Sequence, residues 1–86
     1  MKSLTRPAFW RLYQGLPGSV QSQARKAYQM FAVDPDHPGL NFKKLNGPGN
    51  FWSVRVTQDY RAVGLRRGDE IVWLWIGSHS DFDKQF

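Results

Sequence analysis

The sequence predicts an α+β domain in which an N-terminal helical hairpin packs on a small curved antiparallel β-sheet. Three observations carry that expectation. The run from Asn50 to His79, NFWSVRVTQDYRAVGLRRGDEIVWLWIGSH, reads as three consecutive antiparallel strands joined by short turns. Upstream, Val20, Ala24, Ala27, Tyr28 and Phe31 recur at helical spacing and form one apolar stripe. Between the two lies Asp34 to Gly39, a loop with two prolines that returns the chain from helix to sheet. At 86 residues the chain makes a single domain, residues 1–86, with material for one core.

Each element follows from local chemistry. Lys2 to Leu4 is expected as a short edge strand. Thr5 suits the cap of a first helix and Pro7 its first turn. Phe9, Leu12, Tyr13 and Leu16 then share a face, and Leu16-Pro17-Gly18 separates this helix from the next. The second helix runs from Pro17 or Ser19 to Val33 and stops at Asp34, because a residue before proline disfavours the helical conformation. Leu40 to Leu45 reads as a strand, and Asn46-Gly47-Pro48-Gly49 as a turn. Next, Trp52, Val54 and Val56 share one face, leaving Phe51, Ser53, Arg55 and Thr57 on the other. Tyr60 to Leu65 follows, with a hairpin loop at Arg66-Arg67-Gly68-Asp69. Ile71 to Ile76 is continuously apolar, as a central strand covered on both faces would be. Trp52, Trp73 and Trp75 are expected in the core.

Composition narrows the function classes. With no cysteine, disulfides, thiolate metal sites and cysteine nucleophiles are excluded. No apolar run reaches the roughly 18 residues of a membrane span. Met1 to Phe9 lacks a signal-peptide hydrophobic region, so a cytoplasmic protein without membrane contact is expected. Lys and Arg outnumber Asp and Glu by 12 to 7, which favours an anionic partner only modestly.

The arginines inside the strands say more. An arginine in an apolar strand costs desolvation unless its guanidinium reaches water or an anion. Arg55 and Arg61 therefore predict a cationic open sheet face, a surface suited to RNA. The alternative is a salt bridge to Asp59, Asp69 or Glu70, which exposed arginines often make at little gain. Asp34, Asp36 and His37 lie close in sequence, but nothing nearby completes a metal site, so no metal and no cofactor is expected.

The order of these pieces resembles the RelE/ParE toxin superfamily of toxin–antitoxin systems. The resemblance rests on the helical hairpin, the Asp34-Pro35 loop, LNFKKLNG, FWSVRV, DYRAVG and the closing IVWLWIGSH. It implies the toxin fold and two activities: RelE-like members cleave mRNA in the ribosomal A site, and ParE-like members poison DNA gyrase without being nucleases. It also implies a cognate antitoxin that wraps the toxin with an often acidic segment. By motif, Arg55 and Arg61 match cationic strand positions of the RNA-cleaving members, and His79 a slot they fill with arginine or histidine. Lys43 and Lys44 lie where basic residues hold the RNA backbone, and Arg66 and Arg67 would add attraction to ribosomal RNA. The tail carries no tyrosine, so Phe82 or Phe86 would stack on a base without moving a proton. Ser53 stands where the best-known RNA cleavers carry lysine.

Transesterification of RNA needs a base for the 2′-hydroxyl, cations for the phosphorane charge and an acid for the leaving oxygen. Histidine suits either proton role and arginine the charge. His79 with Arg55 and Arg61 would supply that set, with Asp81 as a second possible base. The expected function is a ribosome-dependent mRNA endonuclease toxin. Two alternatives stand beside it, a non-enzymatic gyrase inhibitor and a degenerate relative that only binds nucleic acid or a protein.

Overall fold

A computed structural model describes residues 1–86. The order is β1 (Lys2–Thr5), α1 (Pro7–Gln14), α2 (Gly18–Val33), a 3-10 turn (Pro38–Leu40), β2 (Lys43–Lys44), β3 (Phe51–Arg55), β4 (Tyr60–Arg67), β5 (Glu70–Ser78) and α3 (His79–Gln85). The strands form one sheet in the order β1-β5-β4-β3-β2. The antiparallel run from β2 to β5 and the helical hairpin stand as expected. Strand β1 joins β5 in parallel, so the sheet is mixed and β5 is an inner strand.

Packing follows the apolar pattern with one irregularity. Phe9, Phe31, Leu40, Val54, Ala62, Ile71, Trp73 and Ile76 form the core between the helical hairpin and the sheet. On β5 the core residues step from Trp73 to Ile76, where plain alternation would give 75. The register explains it: Gly64 pairs with Trp73 and Val63 with Trp75, leaving Leu74 as the extra residue of a β-bulge. The bulge turns Trp75 to the opposite face, where Phe86 and Phe82 of α3 meet its ring at 5.5 and 6.3 Å. Thus the second face of β5 is covered at Trp75, while Val72 and Leu74 stay partly exposed.

Gly64 is fitted to this bulge. A Cβ there would come within 2.7 Å of Ile71 Cγ1 and 2.9 Å of Trp73 Cε3, both on fully packed side chains. Gly64→Ala is therefore expected to destabilise the fold by about 1–3 kcal/mol, the usual cost of overpacking. Urea unfolding of the two proteins measures it, and an unchanged midpoint would show that the bulge relaxes freely.

Several local expectations are corrected. Thr5 does not cap α1. It ends β1, and its Oγ1 accepts from Trp10 Nε1 at 2.9 Å. The strand expected over Leu40 to Leu45 shrinks to Lys43–Lys44. Upstream of it, the His37 ring accepts from Gly39 N and tightens a 3-10 turn, and Asn41 adopts the left-handed conformation at φ 47°. Arg66 and Arg67 are strand residues, since the β4–β5 turn comprises only Gly68 and Asp69. Tyr28 leaves the helical stripe and is half exposed.

The largest departure is α3. Ser78 Oγ accepts from Asp81 N at 3.1 Å, and this cap starts a helix where a loop was expected. The helix lies on β4 and β5, so the sheet face expected to be open is open only in part. Ser53 and Val63 on that face are fully buried.

Candidate functional site

The site forms where β4 meets α3. Arg55 and Arg61 pair directly across β3 and β4, on one face. Like charges placed opposite each other repel, yet neither arginine has a carboxylate partner. The one contact between a basic side chain and a carboxylate joins His79 and Asp83, and it is an ion pair only when the imidazole is protonated. The salt bridges weighed for these arginines are thus absent, and their charge is free for an anion.

Arg61 is held by neutral neighbours. Its Nε donates to His79 Nδ1 at 3.2 Å, and its guanidinium carbon lies 5.3 Å from the centre of the Phe82 ring. His79 is the first residue of α3. Its backbone N–H donates to Asp59 O at 2.6 Å, which ties the helix start to the β3–β4 turn. The other ring nitrogen, Nε2, lies 3.5 Å from Asp83 Oδ2, one helical turn on. His79 and Phe82 stack at 6.1 Å and 19°, and Phe82 and Phe86 at 5.4 Å and 28°. Three rings thus step along α3.

These side chains border a groove of about 780 Å³. Lys43, Lys44, Arg61, His79, Phe82 and Phe86 all line it. Lys43 lies opposite Ser53, on the face of Arg61, and Lys44 lies opposite Trp52 on the other face. Both border the groove because β2 is a two-residue strand at the sheet edge. The chemistry gathered is an imidazole, a guanidinium with no carboxylate partner, two ammonium groups and stacked aromatic surface. That set suits an RNA backbone with its bases.

The other expected residues sit apart. Arg55 is exposed beside Arg61 but does not line the groove. Asp81 has its backbone N–H on the Ser78 cap, and no hydrogen bond or ion pair joins its carboxylate to His79. Arg66 lies on the hairpin-side face, 4.6 Å over Trp52 and 5.7 Å over Phe42, with Nε donating to Gly68 O. Arg67, next on β4, pairs with Glu70 on the opposite face, exposed and away from the groove. Asp34 and His37 turn to local backbone, accepting from Asp36 N and Gly39 N. No group of three His, Asp or Glu side chains is placed to hold a metal ion.

Asp83 is the residue that sequence reasoning missed. A signal for it was present: Ser78-His79-Ser80-Asp81 has the spacing of a capping box. That motif starts a helix, and a helix places residue 83 on the same face as residue 79.

A family model described as a ParE-like toxin domain matches residues 18–84. Among curated protein sequences nothing matches the chain. Among solved structures, the chain is similar to the RelB-RelE antitoxin–toxin complex from Methanococcus jannaschii. The TM-score is 0.78 at 18% identity, over 96% of this chain and 98% of that one. It is also similar to the YoeB/ParE toxin from Agrobacterium tumefaciens, with TM-score 0.69 and 19% identity over 92% and 99% of the two chains. The archaeal RelE-RelB complex from Pyrococcus horikoshii OT3 gives TM-score 0.69 and 17% identity over 90% and 92%. At such identities the likeness is one of fold.

Proposed function

Since the chain belongs to the ParE-like toxin domain family, we propose that it is the toxin of a toxin–antitoxin pair and stops translation by cutting mRNA in the ribosomal A site. The observation that carries this reading is the contact between Arg61 and His79 at the groove. A binding surface needs no histidine against an unpaired arginine, whereas transesterification needs a proton acceptor beside a phosphate-binding cation.

In the proposed reaction, Arg61 and Lys43 bind the scissile phosphate, with Lys44 on the flanking backbone. His79 accepts the proton of the 2′-hydroxyl as that oxygen attacks phosphorus. The bond from phosphorus to the 5′-oxygen breaks, leaving a 2′,3′-cyclic phosphate and a 5′-hydroxyl. The leaving oxygen takes a proton from water, and His79 returns its own to solvent, so the protons balance. Arg61 opposes the charge that grows on the phosphorane, where a donor aimed at developing charge is most effective. Phe82 and Phe86 offer stacking surface to a neighbouring base. Arg55, at the margin, adds attraction without touching the reacting atoms, and so does Arg67.

The partner that restrains the toxin is a cognate antitoxin. Two of the similar structures are complexes with a RelB antitoxin. In this chain residues 1–33 carry five of the twelve cations and none of the acids. The surface of β1, α1 and α2 thus suits an acidic partner. A toxin that acts on ribosomes acts in the cytoplasm, and no helix of this chain is long and apolar enough to cross a membrane.

A second reading, gyrase inhibition, is favoured by the tail, which lacks a tyrosine. Inducible expression without a partner separates the two. Protein synthesis is expected to fail before DNA synthesis, with cellular mRNA cut. An SOS response with intact mRNA would point to gyrase instead.

A further inference from the structure

His79 is wedged between side chains from two elements. Arg61 Nε, on β4, donates to its Nδ1 at 3.2 Å, and Asp83 Oδ2, on α3, lies 3.5 Å from its Nε2. A guanidinium is a donor only, so Nδ1 must present its lone pair. The hydrogen of the neutral ring then sits on Nε2, facing the Asp83 carboxylate. At 3.5 Å that contact is long for a hydrogen bond, as such contacts often are before substrate binds.

We propose that Asp83 is a positioning residue for His79: it holds the Nε2–H side of the ring, leaving Nδ1 as the atom that takes the proton, and steadies the charge the ring then carries. The use of that proton rests on the nuclease reading. The ring contact does not.

The arrangement implies an exchange of partners. In the free protein Arg61 occupies the Nδ1 lone pair, so the base is masked. A phosphate entering the groove competes for the same guanidinium, and a charge-assisted contact to phosphate is the stronger one. Arg61 then swings to the phosphate and Nδ1 is exposed to the 2′-hydroxyl. Asp83 stays beside Nε2–H throughout, and its carboxylate closes to a hydrogen bond as the ring takes up charge, without itself being protonated, as in a serine-protease triad. The other charged groups at this groove are Lys43 and Lys44 on β2, which oppose charge on His79. Asp81 shares the helix but makes no contact with the ring. Asp83 is thus the carboxylate that touches it.

The test compares wild type with Asp83→Ala and Asp83→Glu by two readouts. Nitrogen-15 NMR reads which ring nitrogen carries the hydrogen in the purified chain, where His37 is the only other histidine and serves as the internal reference. In Asp83→Ala the share of neutral His79 rings with the hydrogen on Nε2 is expected to fall while the His37 signals stay. Asp83→Glu, which keeps a carboxylate on the same face of α3, is expected to restore it. In A-site cleavage, Asp83→Ala is expected to lower kcat about 10- to 100-fold, the scale on which loss of an orienting carboxylate acts on a histidine. KM for the ribosome should hold. A His79 tautomer ratio in Asp83→Ala that equals the wild-type ratio would overturn the proposal. So would cleavage lost in Asp83→Ala and not restored by glutamate. A wild-type chain that cuts no mRNA refutes the nuclease reading instead, and the NMR readout still decides whether Asp83 holds the ring.

Discussion

Arg61→Ala is expected to abolish toxicity while leaving the fold intact. The side chain is half-buried, has no carboxylate partner, and touches only His79 Nδ1 and the Phe82 ring. Its removal leaves no buried charge behind, and it relieves the repulsion from Arg55 across the strand pair. Stability should therefore change by no more than about 0.5 kcal/mol, as for most surface substitutions. The effect on cleavage should be large, since losing one donor aimed at developing charge costs about 3–4 kcal/mol of barrier, or 100- to 1,000-fold in rate. Thermal unfolding and A-site cleavage, measured on one preparation, check both halves. A strongly lowered melting temperature with a folded fraction that still cuts would make Arg61 a structural residue.

His79→Ala should reduce cleavage by about 100- to 10,000-fold, the usual contribution of a positioned proton acceptor. His79→Gln keeps a hydrogen-bonding side chain but cannot exchange a proton near neutral pH, so it should not rescue. Ribosome binding should survive both substitutions, because the phosphate contacts belong to Arg61 and the two lysines. The tie from residue 79 to Asp59 is made by the backbone and persists in either variant. In vitro cleavage at several pH values, with a parallel ribosome-binding assay, measures the two effects separately. Mutants that cut at nearly the wild-type rate would remove His79 from the mechanism. Loss of cleavage together with loss of binding would make it a contact residue.

Much of this arrangement was legible in the residues, and the limits have physical reasons. The stripe on α2 and the alternation through β3 and β4 report one buried face each, so they predict burial directly. The unbroken apolar run of β5 pointed to cover on both sides, which the second face has at Trp75 and lacks at Val72 and Leu74. It said nothing of what the second cover was. That cover, α3, has no buried residue of its own and shows no apolar periodicity. It depends on the Ser78 cap and on Phe82 and Phe86 meeting Trp75, a ring that only the bulge at Leu74 turns toward them. A bulge leaves no mark on the period-2 pattern that would identify it beforehand. Burial on that face also accounts for Ser53, which reads as an open-face residue but lies under cover.

The candidate site divides in the same way. Arg61 and His79 are 18 positions apart, and their contact depends on pairing between β4 and β5, which the strand pattern implied. Lys43 and Lys44 reach the groove through the short edge strand. Arg66 was misplaced because a hairpin-loop arginine defaults to solvent, whereas a last-turn strand residue stacks on the aromatic rings beside it. Asp81 stands nearer to His79 in sequence, but the i, i+4 spacing of α3 is what brings Asp83 to its ring.

The most direct test of the central claim is cleavage on defined ribosomes. The purified chain is added to ribosomes programmed with one mRNA and stalled with an open A site, and primer extension maps the ends. A cut within the A-site codon, leaving a 2′,3′-cyclic phosphate and absent when ribosomes are omitted, is the predicted result. Intact mRNA on these ribosomes, from a chain that blocks supercoiling by DNA gyrase in a parallel assay, would contradict it.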